Sequence, residues 1–167
     1  MSLESVRSAK RFCHSMIALI QRVSGASVRV GDELIGEIGP GLLALIGMVR
    51  GDDTAHAERL LQRVLDYRVF PDAAGRMNLS LRDVQGGLLL VPQFTLAAET
   101  GHGNRPGFSR AAAPAEAAAL YGQLLQRAHA IYGRVASGRF GAHMQVSLIN
   151  DGPVTFWLQS AGSVKQA

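Results

Sequence analysis

A Gly-Pro pair near the C-terminus is the most informative chemical feature of the chain. It stands in the run Asn150-Asp151-Gly152-Pro153-Val154-Thr155, between two stretches of alternating apolar and polar residues. Glycine reaches backbone angles closed to other residues, and the bond before proline is the peptide bond that is most readily cis. A cis Gly-Pro bond would hold two carbonyl groups rigidly side by side at a surface, where they reject a ligand by shape. An ordinary hairpin turn is the alternative that this motif alone leaves open.

A second candidate is the segment Gln93-Phe94-Thr95, which follows an apolar stretch ending at Pro92. A chain that leaves a sheet here can present the unpaired backbone N–H groups of Phe94 and Thr95. Two such donors can form an oxyanion hole, and losing one typically raises the barrier by about 3–4 kcal/mol. The alternative is a plain strand exit in which Phe94 is a core residue and Thr95 hydrogen-bonds locally.

Arg22 is the third candidate, because it shares a predicted strand face with Ala18 and Ile20. A guanidinium drawn inward must find acceptors, and the carbonyl groups of a rigid turn would serve. The alternative is an arginine near a strand end that bends out to water.

Familiar catalytic motifs are missing from the sequence. It contains no P-loop, dinucleotide-binding glycine pattern, nucleophile elbow or zinc-type His-Glu spacing, and its five histidines are dispersed. We therefore expect neither a metal nor a cofactor, and we expect any catalysis to use backbone donors and groups of the substrate itself.

These candidates need a sheet to position them. Alternation predicts strands over 16–23 and 144–149 and over 154–159, with a hairpin over 28–38 that turns at Gly31-Asp32. Apolar runs over 41–49 and 88–91 predict buried strands. Helical periodicity predicts a helix over 52–67 and another that begins at Pro114. The pattern indicates an α+β domain with an extensive sheet and about two helices.

Composition sets the class of protein. A chain of 167 residues that is 47% hydrophobic and 18% charged fits one globular domain, 16–160, with an N-terminal extension, 1–15, and a frayed tail, 161–167. No apolar run approaches the roughly twenty residues that span a bilayer. The single cysteine excludes an internal disulfide and indicates a reducing, cytoplasmic setting. The net charge of +4 is too small to predict nucleic-acid binding.

Five short motifs, in order and at matching intervals, resemble D-aminoacyl-tRNA deacylase. They are Met16–Val23, Gln93–Leu96, Arg105-Pro106, Gly138–Phe140 and Asn150–Thr155. The resemblance covers nearly the whole chain from about Met16 to Gln159. It implies a barrel-like fold with a mostly antiparallel or mixed sheet, and a homodimer with active sites at the subunit interface. It also implies cleavage of the ester between a D-amino acid and the terminal adenosine of tRNA.

The resemblance also implies roles for particular residues. Gly152 and Pro153 would form a cis pair that enters the partner subunit's pocket and excludes L-side chains by clash, so that glycine escapes rejection. Arg22 would brace this loop. The main chain of Gln93, Phe94 and Thr95 would hold the amino group and polarise the ester carbonyl. Phe140 and Met144 would receive the terminal adenine, while the ribose 2′-hydroxyl helps to position the attacking water.

One departure from the family and three rival readings remain. The family usually has Ser where this chain has Pro92, and proline supplies neither a hydroxyl nor a backbone N–H. A related deacylase removes mischarged L-alanine by means of a trans Gly-Pro pair, and a Pro-Gln start resembles it. The other rivals are a non-catalytic RNA-binding dimer and a purely structural dimer in which each motif serves packing.

Overall fold

The computed structural model describes residues 15–160. The predicted extension, 1–15, and the predicted tail, 161–167, lie outside the described residues apart from Ser15, which is buried. The described residues form eight strands: Ile17–Val30 (β1), Glu33–Ile38 (β2), Gly41–Gly47 (β3), Phe70–Pro71 (β4), Met77–Leu79 (β5), Gly87–Pro92 (β6), Val135–Ser137 (β7) and Gln145–Gln159 (β8). They also form three α-helices, Thr54–Asp66 (α1), Leu81–Val84 (α2) and Pro114–Ile131 (α3), and a 3-10 turn at Phe94–Ala97.

Six strands form one mixed sheet around β1. The strand order is β2-β1-β3-β6-β7, and β8 pairs with β1 outside this path. Strand β3 pairs with the first half of β1, β2 pairs with its second half, and β8 runs antiparallel along almost its full length. The β3–β6 and β6–β7 pairs are parallel. Because β2 and β7 also contact each other, the sheet is a nearly closed barrel, and the predicted α+β fold is confirmed.

Apolar side chains of the sheet fill two large cores, and a smaller third cluster contains Ile17, Val49, Ala97 and Ala111. One core lies inside the barrel and includes Val28, Leu43 and Leu89. The larger core lies between the opposite face of the sheet and the helices, where Leu42, Leu88 and their neighbours meet the apolar stripes of α1 and α3. Both faces of β3 and β6 are therefore buried, as their continuous apolar runs predict.

Local sequence explains where the two long helices begin. The Asp53 carboxylate accepts a hydrogen bond of 2.9 Å from the His56 N–H, which caps α1. Pro114 occupies the first turn of α3, where its missing N–H costs no hydrogen bond. The two long helices confirm the predicted pair, and no helix among residues 15–160 is long and apolar enough to cross a bilayer.

The Gly-Pro run does not join two strands, so that part of the prediction is wrong. Both flanks of the run pair with β1: Asn150 lies opposite Val23, and Thr155 lies opposite Gln21. The four residues between them, 151–154, stand opposite the single residue Arg22 and form a bulge in one continuous strand. Alternation on both sides of an insertion looks the same in sequence as two strands joined by a turn.

Candidate active site

At the end of β6 the chain leaves the sheet, and two backbone N–H groups there find no acceptor within residues 15–160. The Gln93 N–H still donates to the Ile46 carbonyl at 2.7 Å, and the first hydrogen bond of the 3-10 turn runs from the Leu96 N–H to the Gln93 carbonyl at 3.2 Å. The N–H groups of Phe94 and Thr95 come before that bond, so the turn offers them no acceptor. Unpaired backbone N–H groups of this kind are the donors that an oxyanion hole uses.

The side chains of this segment do not lie in the core. Phe94 is 54% exposed, which rules out the alternative of a core residue at this position. The Gln93 side-chain amide donates to the Thr95 hydroxyl, so Thr95 does bond locally while its N–H stays available. The Thr95 hydroxyl is therefore held in place by its neighbour two residues earlier.

A cleft of about 450 Å³ opens beside this exit from the sheet. Its wall includes Gln93 and Phe94, which follow β6, and Phe140 and Met144, which precede β8. These two pairs are remote in sequence. Pro92 also lines the cleft, and most of the remaining lining is apolar. The cleft therefore brings the predicted residues Gln93, Phe94, Phe140 and Met144 together around one largely apolar cavity.

Tyr121 of α3 fixes one lip of the cleft. Its buried hydroxyl donates to the Leu90 carbonyl at 2.9 Å and lies 3.4 Å from the Gly138 carbonyl. Burial raises the pKa of the Tyr121 hydroxyl well above its ordinary value, so it remains a donor at any physiological pH. The Phe140 ring packs near the Tyr121 ring at 6.3 Å between centroids. The sequence analysis gave no sign of this contact.

Met144 is held from the same lip. The Arg139 backbone N–H approaches the Met144 sulfur at 3.3 Å, which ties the two ends of the short 139–144 turn together. Phe140 and Met144 are both partly buried and pack on different cores. Their positions are therefore set by the barrel and the helices rather than by a mobile loop.

The Gly-Pro bulge lies elsewhere on the barrel. Its Gly152-Pro153 peptide bond is cis, and Gly152 has a φ of 130°. A Cβ added at Gly152 would lie 2.9 Å from the Arg22 guanidinium and 2.6 Å from the Val154 side chain. Both the backbone angle and the close approach of Arg22 therefore call for glycine here.

Arg22 points inward and grips the bulge. Its side chain is only 13% exposed, and its Nε donates to the Asp151 carbonyl at 3.1 Å. One terminal nitrogen donates to the Val69 carbonyl at 2.7 Å, and the Asp151 carboxylate lies 3.5 Å from Nε. The guanidinium thus links the bulge to the loop after α1.

Asn150 grips the other end of the bulge, a role that the sequence analysis missed. Its Oδ1 accepts from the Val154 N–H at 2.8 Å, and its Nδ2 donates to the Thr155 hydroxyl at 2.8 Å. The Gln21 side chain donates to the same hydroxyl at 3.3 Å. An asparagine just before Asp-Gly-Pro is a sequence signal for such a local clamp.

Within one chain the bulge and the Thr95 segment do not meet. Arg22 pairs with Leu42 on β3, whereas Gln93 bonds to Ile46 four residues further along that strand. That offset is about 13 Å along the strand, and three strand spacings from β8 to β6 add about 14 Å across the sheet. The two motifs are therefore separated by roughly 20 Å in a single copy.

A row of apolar side chains lies between the two motifs. Leu19 pairs with Trp157 of β8 on one side and with Leu45 of β3 on the other. Leu19 and Leu45 are only partly buried, and Trp157 is 50% exposed. In addition, β8 pairs only with β1 among the described strands. This apolar row is a surface suited to a partner.

The protein has a barrel-like α+β fold with a largely apolar cleft at the exit from β6. The family model for D-Tyr-tRNA(Tyr) deacylase matches residues 19–159 of the chain. The chain belongs to this family.

Individual relatives cover almost the same region. The chain is 62% identical over 144 residues to D-aminoacyl-tRNA deacylase of Thioalkalivibrio sulfidiphilus, across 86% of this chain and 97% of that protein. It is 59% identical over 152 residues to D-aminoacyl-tRNA deacylase of Nitrosococcus oceani, across 91% and 98%. A solved structure of a c-Myc DNA unwinding element binding protein has a TM-score of 0.83 at 38% identity, across 87% of this chain and 99% of that chain.

Proposed function

We propose that this protein hydrolyses the ester of D-aminoacyl-tRNA in the cytoplasm and releases free tRNA and the D-amino acid. The observation that carries this proposal is the cleft lined by Gln93 and Phe94 at the exit from β6, where the N–H groups of Phe94 and Thr95 find no acceptor within residues 15–160. Membership of the deacylase family gives the substrate class. The terminal adenine enters between Phe140 and Met144, which places the ester at the exit from β6.

Hydrolysis follows from the backbone donors. A water molecule attacks the ester carbonyl carbon, and the N–H groups of Phe94 and Thr95 receive the developing oxyanion. The ester C–O bond then breaks, and the proton from the water passes to the ribose oxygen that leaves. The ribose 2′-hydroxyl helps to position the water, while Thr95 and Gln93 hold the carbonyl and the amino group. Pro92 has no N–H, so the donors must come from the residues after it.

Chiral selection is assigned to the Gly-Pro bulge of a second copy. The carbonyl groups of Gly152 and Pro153 occupy the space that an L-side chain would need, and a D-side chain points away from them. Glycine has no side chain, so glycyl-tRNA is also a substrate. The two clamps at Arg22 and Asn150 support this role, because a sieve that works by clash must not yield.

The proposed site is shared between the two copies of a homodimer. The bulge and the Thr95 segment lie roughly 20 Å apart in one copy, which supports a site that combines two copies. The apolar row of Leu19, Leu45 and Trp157 between them is the surface on which a second copy would dock about a twofold axis. That axis would bring each bulge to the partner's cleft.

The proposal is tested by following the release of tyrosine from D-tyrosyl-tRNA and from L-tyrosyl-tRNA. We expect rapid cleavage of the D-ester and almost none of the L-ester. Equal rates would contradict chiral selection. Cleavage of L-alanyl-tRNA in preference to both would favour the related L-alanine deacylase, and tRNA binding without cleavage would favour a non-catalytic RNA-binding dimer.

A further inference from the structure

Two aromatic rings lie exposed at the mouth of the cleft. Phe94, which lines the cleft, is 54% exposed, and Phe108 beside it is 40% exposed. Their centroids are 5.2 Å apart at an interplanar angle of 51°. The proposed hydrolysis involves the backbone N–H of Phe94 but neither aromatic ring. Exposed aromatic faces next to a nucleotide pocket are the surfaces on which single-stranded bases stack.

Phe108 belongs to a loop that is anchored to the site and almost wholly exposed. Glu99 and Gly107 exchange backbone hydrogen bonds of 2.7 and 3.0 Å, which close the loop. Residues 99–110 carry Arg105 and Arg110 against a single acid, Glu99. Neither arginine side chain makes an ion pair within residues 15–160. The loop thus offers two free cations beside the aromatic pair.

We propose that this loop and the aromatic pair form a subsite for the nucleotide that precedes the terminal adenosine. This inference rests on the proposed function and adds a second nucleotide to it. The cleft of about 450 Å³ has room for one nucleoside. In this arrangement the single-stranded RNA end leaves the cleft past the exposed Phe94 ring. The next base then stacks on Phe108, and Arg105 and Arg110 lie within the same loop to bind the phosphates.

The subsite separates two substrates that are chemically alike at the ester. D-tyrosyl-tRNA carries the preceding nucleotide, whereas the adenosine ester of D-tyrosine does not. Interactions with remote parts of a substrate add to kcat/KM only when those parts are present. A change at Phe108 or Arg105 must therefore affect the first substrate and spare the second.

The experiment measures kcat/KM of the full chain on both substrates for the wild type, Phe108→Ala, Phe108→Leu and Arg105→Ala. We expect both Phe108 variants to lose about five-fold or more on D-tyrosyl-tRNA, in line with the loss of one stacked base. Activity on the adenosine ester should stay at the wild-type level. Phe108→Leu keeps an apolar side chain in the loop, so its loss would not be a folding effect.

Arg105→Ala should weaken tRNA binding and lower the slope of log Kd against log salt by about 0.7, the value for one single-strand phosphate contact. Arg134→Ala is the matched control, because Arg134 bonds the Gln85 carbonyl at the opposite end of β6 and should change neither quantity.

Three results would overturn the subsite. Equal losses on both substrates would mean that the loop supports the cleft itself, and no loss on either would mean that the rings are idle. Loss of the dimer in Phe108→Ala would assign the rings to a second copy of the chain. A wild type that cleaves neither ester would instead contradict the proposed function, and the subsite with it.

Discussion

Polar side chains at the candidate site hydrogen-bond to one another or to the main chain. The Gln93 amide donates to Thr95, and Arg22 and Asn150 fix the two ends of the bulge. The groups that would meet the substrate are backbone N–H and carbonyl groups. Mutation of these side chains therefore tests how they position the main chain. Changes at Thr95 should act on the rate, and changes at Arg22 should act on the selectivity.

Thr95→Ala should lower kcat on D-tyrosyl-tRNA by about 10²-fold, the effect of misplacing a reacting group by about 1 Å. The backbone N–H survives the substitution, so the preference for the D-ester should persist in the residual activity. Single-turnover hydrolysis measures both. Thr95→Ser keeps the hydroxyl that accepts from Gln93 and is the matched control. A Thr95→Ala enzyme with full activity would contradict the positioning role.

Arg22→Ala should act on selectivity instead. The substitution leaves the Asp151 and Val69 carbonyls without a charged donor, and such hydrogen bonds are worth about 1.5–3 kcal/mol. Because a loosened bulge excludes L-side chains less well, the variant should cleave the L-ester about ten-fold faster or more. Its rate on the D-ester should change little. Arg22→Lys keeps the charge but lacks the planar fork that bonds both carbonyls. Its rate on the L-ester should therefore lie between those of the wild type and Arg22→Ala. Unchanged rejection of L-tyrosyl-tRNA would show that Arg22 does not set the sieve.

Sequence favoured the inward direction of Arg22, whereas Asn150 carried only a general signal for a local hydrogen bond. Arg22 shares a strand face with buried Ala18 and Ile20, and the period of two favoured the inward side chain over one that bends out to water. The hydrogen bonds of Asn150 exist only because four residues bulge opposite one. The alternation of apolar and polar residues in β8 does not predict the insertion of residues 151–154.

Secondary-structure elements were predictable where they were long enough to show a period. The helices α1 and α3 and the buried strands β3 and β6 were all expected. The four-residue helix α2 and the 3-10 turn at Phe94 are too short for any periodicity to reveal them. The 3-10 turn matters most, because it decides which N–H groups stay free.

Packing between elements is tightest where β3 and β6 begin. A Cβ added at Gly41 would lie 1.9 Å from the Gly87 carbonyl oxygen, and both atoms belong to paired backbones that cannot rotate away. Gly41→Ala should therefore lower the free energy of unfolding by about 3 kcal/mol or more. Urea denaturation monitored by circular dichroism measures this change.

Gly122 provides the control for Gly41. It is exposed in α3, and nothing lies within 4 Å of a Cβ added there. Gly122→Ala should raise the free energy of unfolding by up to about 1 kcal/mol, because alanine is the better helix former. Similar stability of the two variants would contradict the close approach of β3 and β6.

At the scale of the whole molecule, the two parts of the candidate site lie far apart in one chain. The bulge and the Thr95 segment are both well formed, yet they lie roughly 20 Å apart in one copy. The sequence motifs indicated both pieces but contained no measure of this distance, since it depends on strand register across β1, β3 and β6. The apolar row that includes Trp157 lies between them, and it is the surface that we propose for the second copy.

The most direct test of a site shared between copies is the selectivity of a mixed dimer. A dimer with one Thr95→Ala copy and one Arg22→Ala copy, isolated by a different tag on each, retains a single site with an intact Thr95. If the bulge comes from the partner, that site receives the wild-type Arg22, and the ratio of D- to L-tyrosyl-tRNA cleavage should equal that of the wild type. A ratio as low as that of the Arg22→Ala homodimer would place the bulge in the same chain and contradict the account.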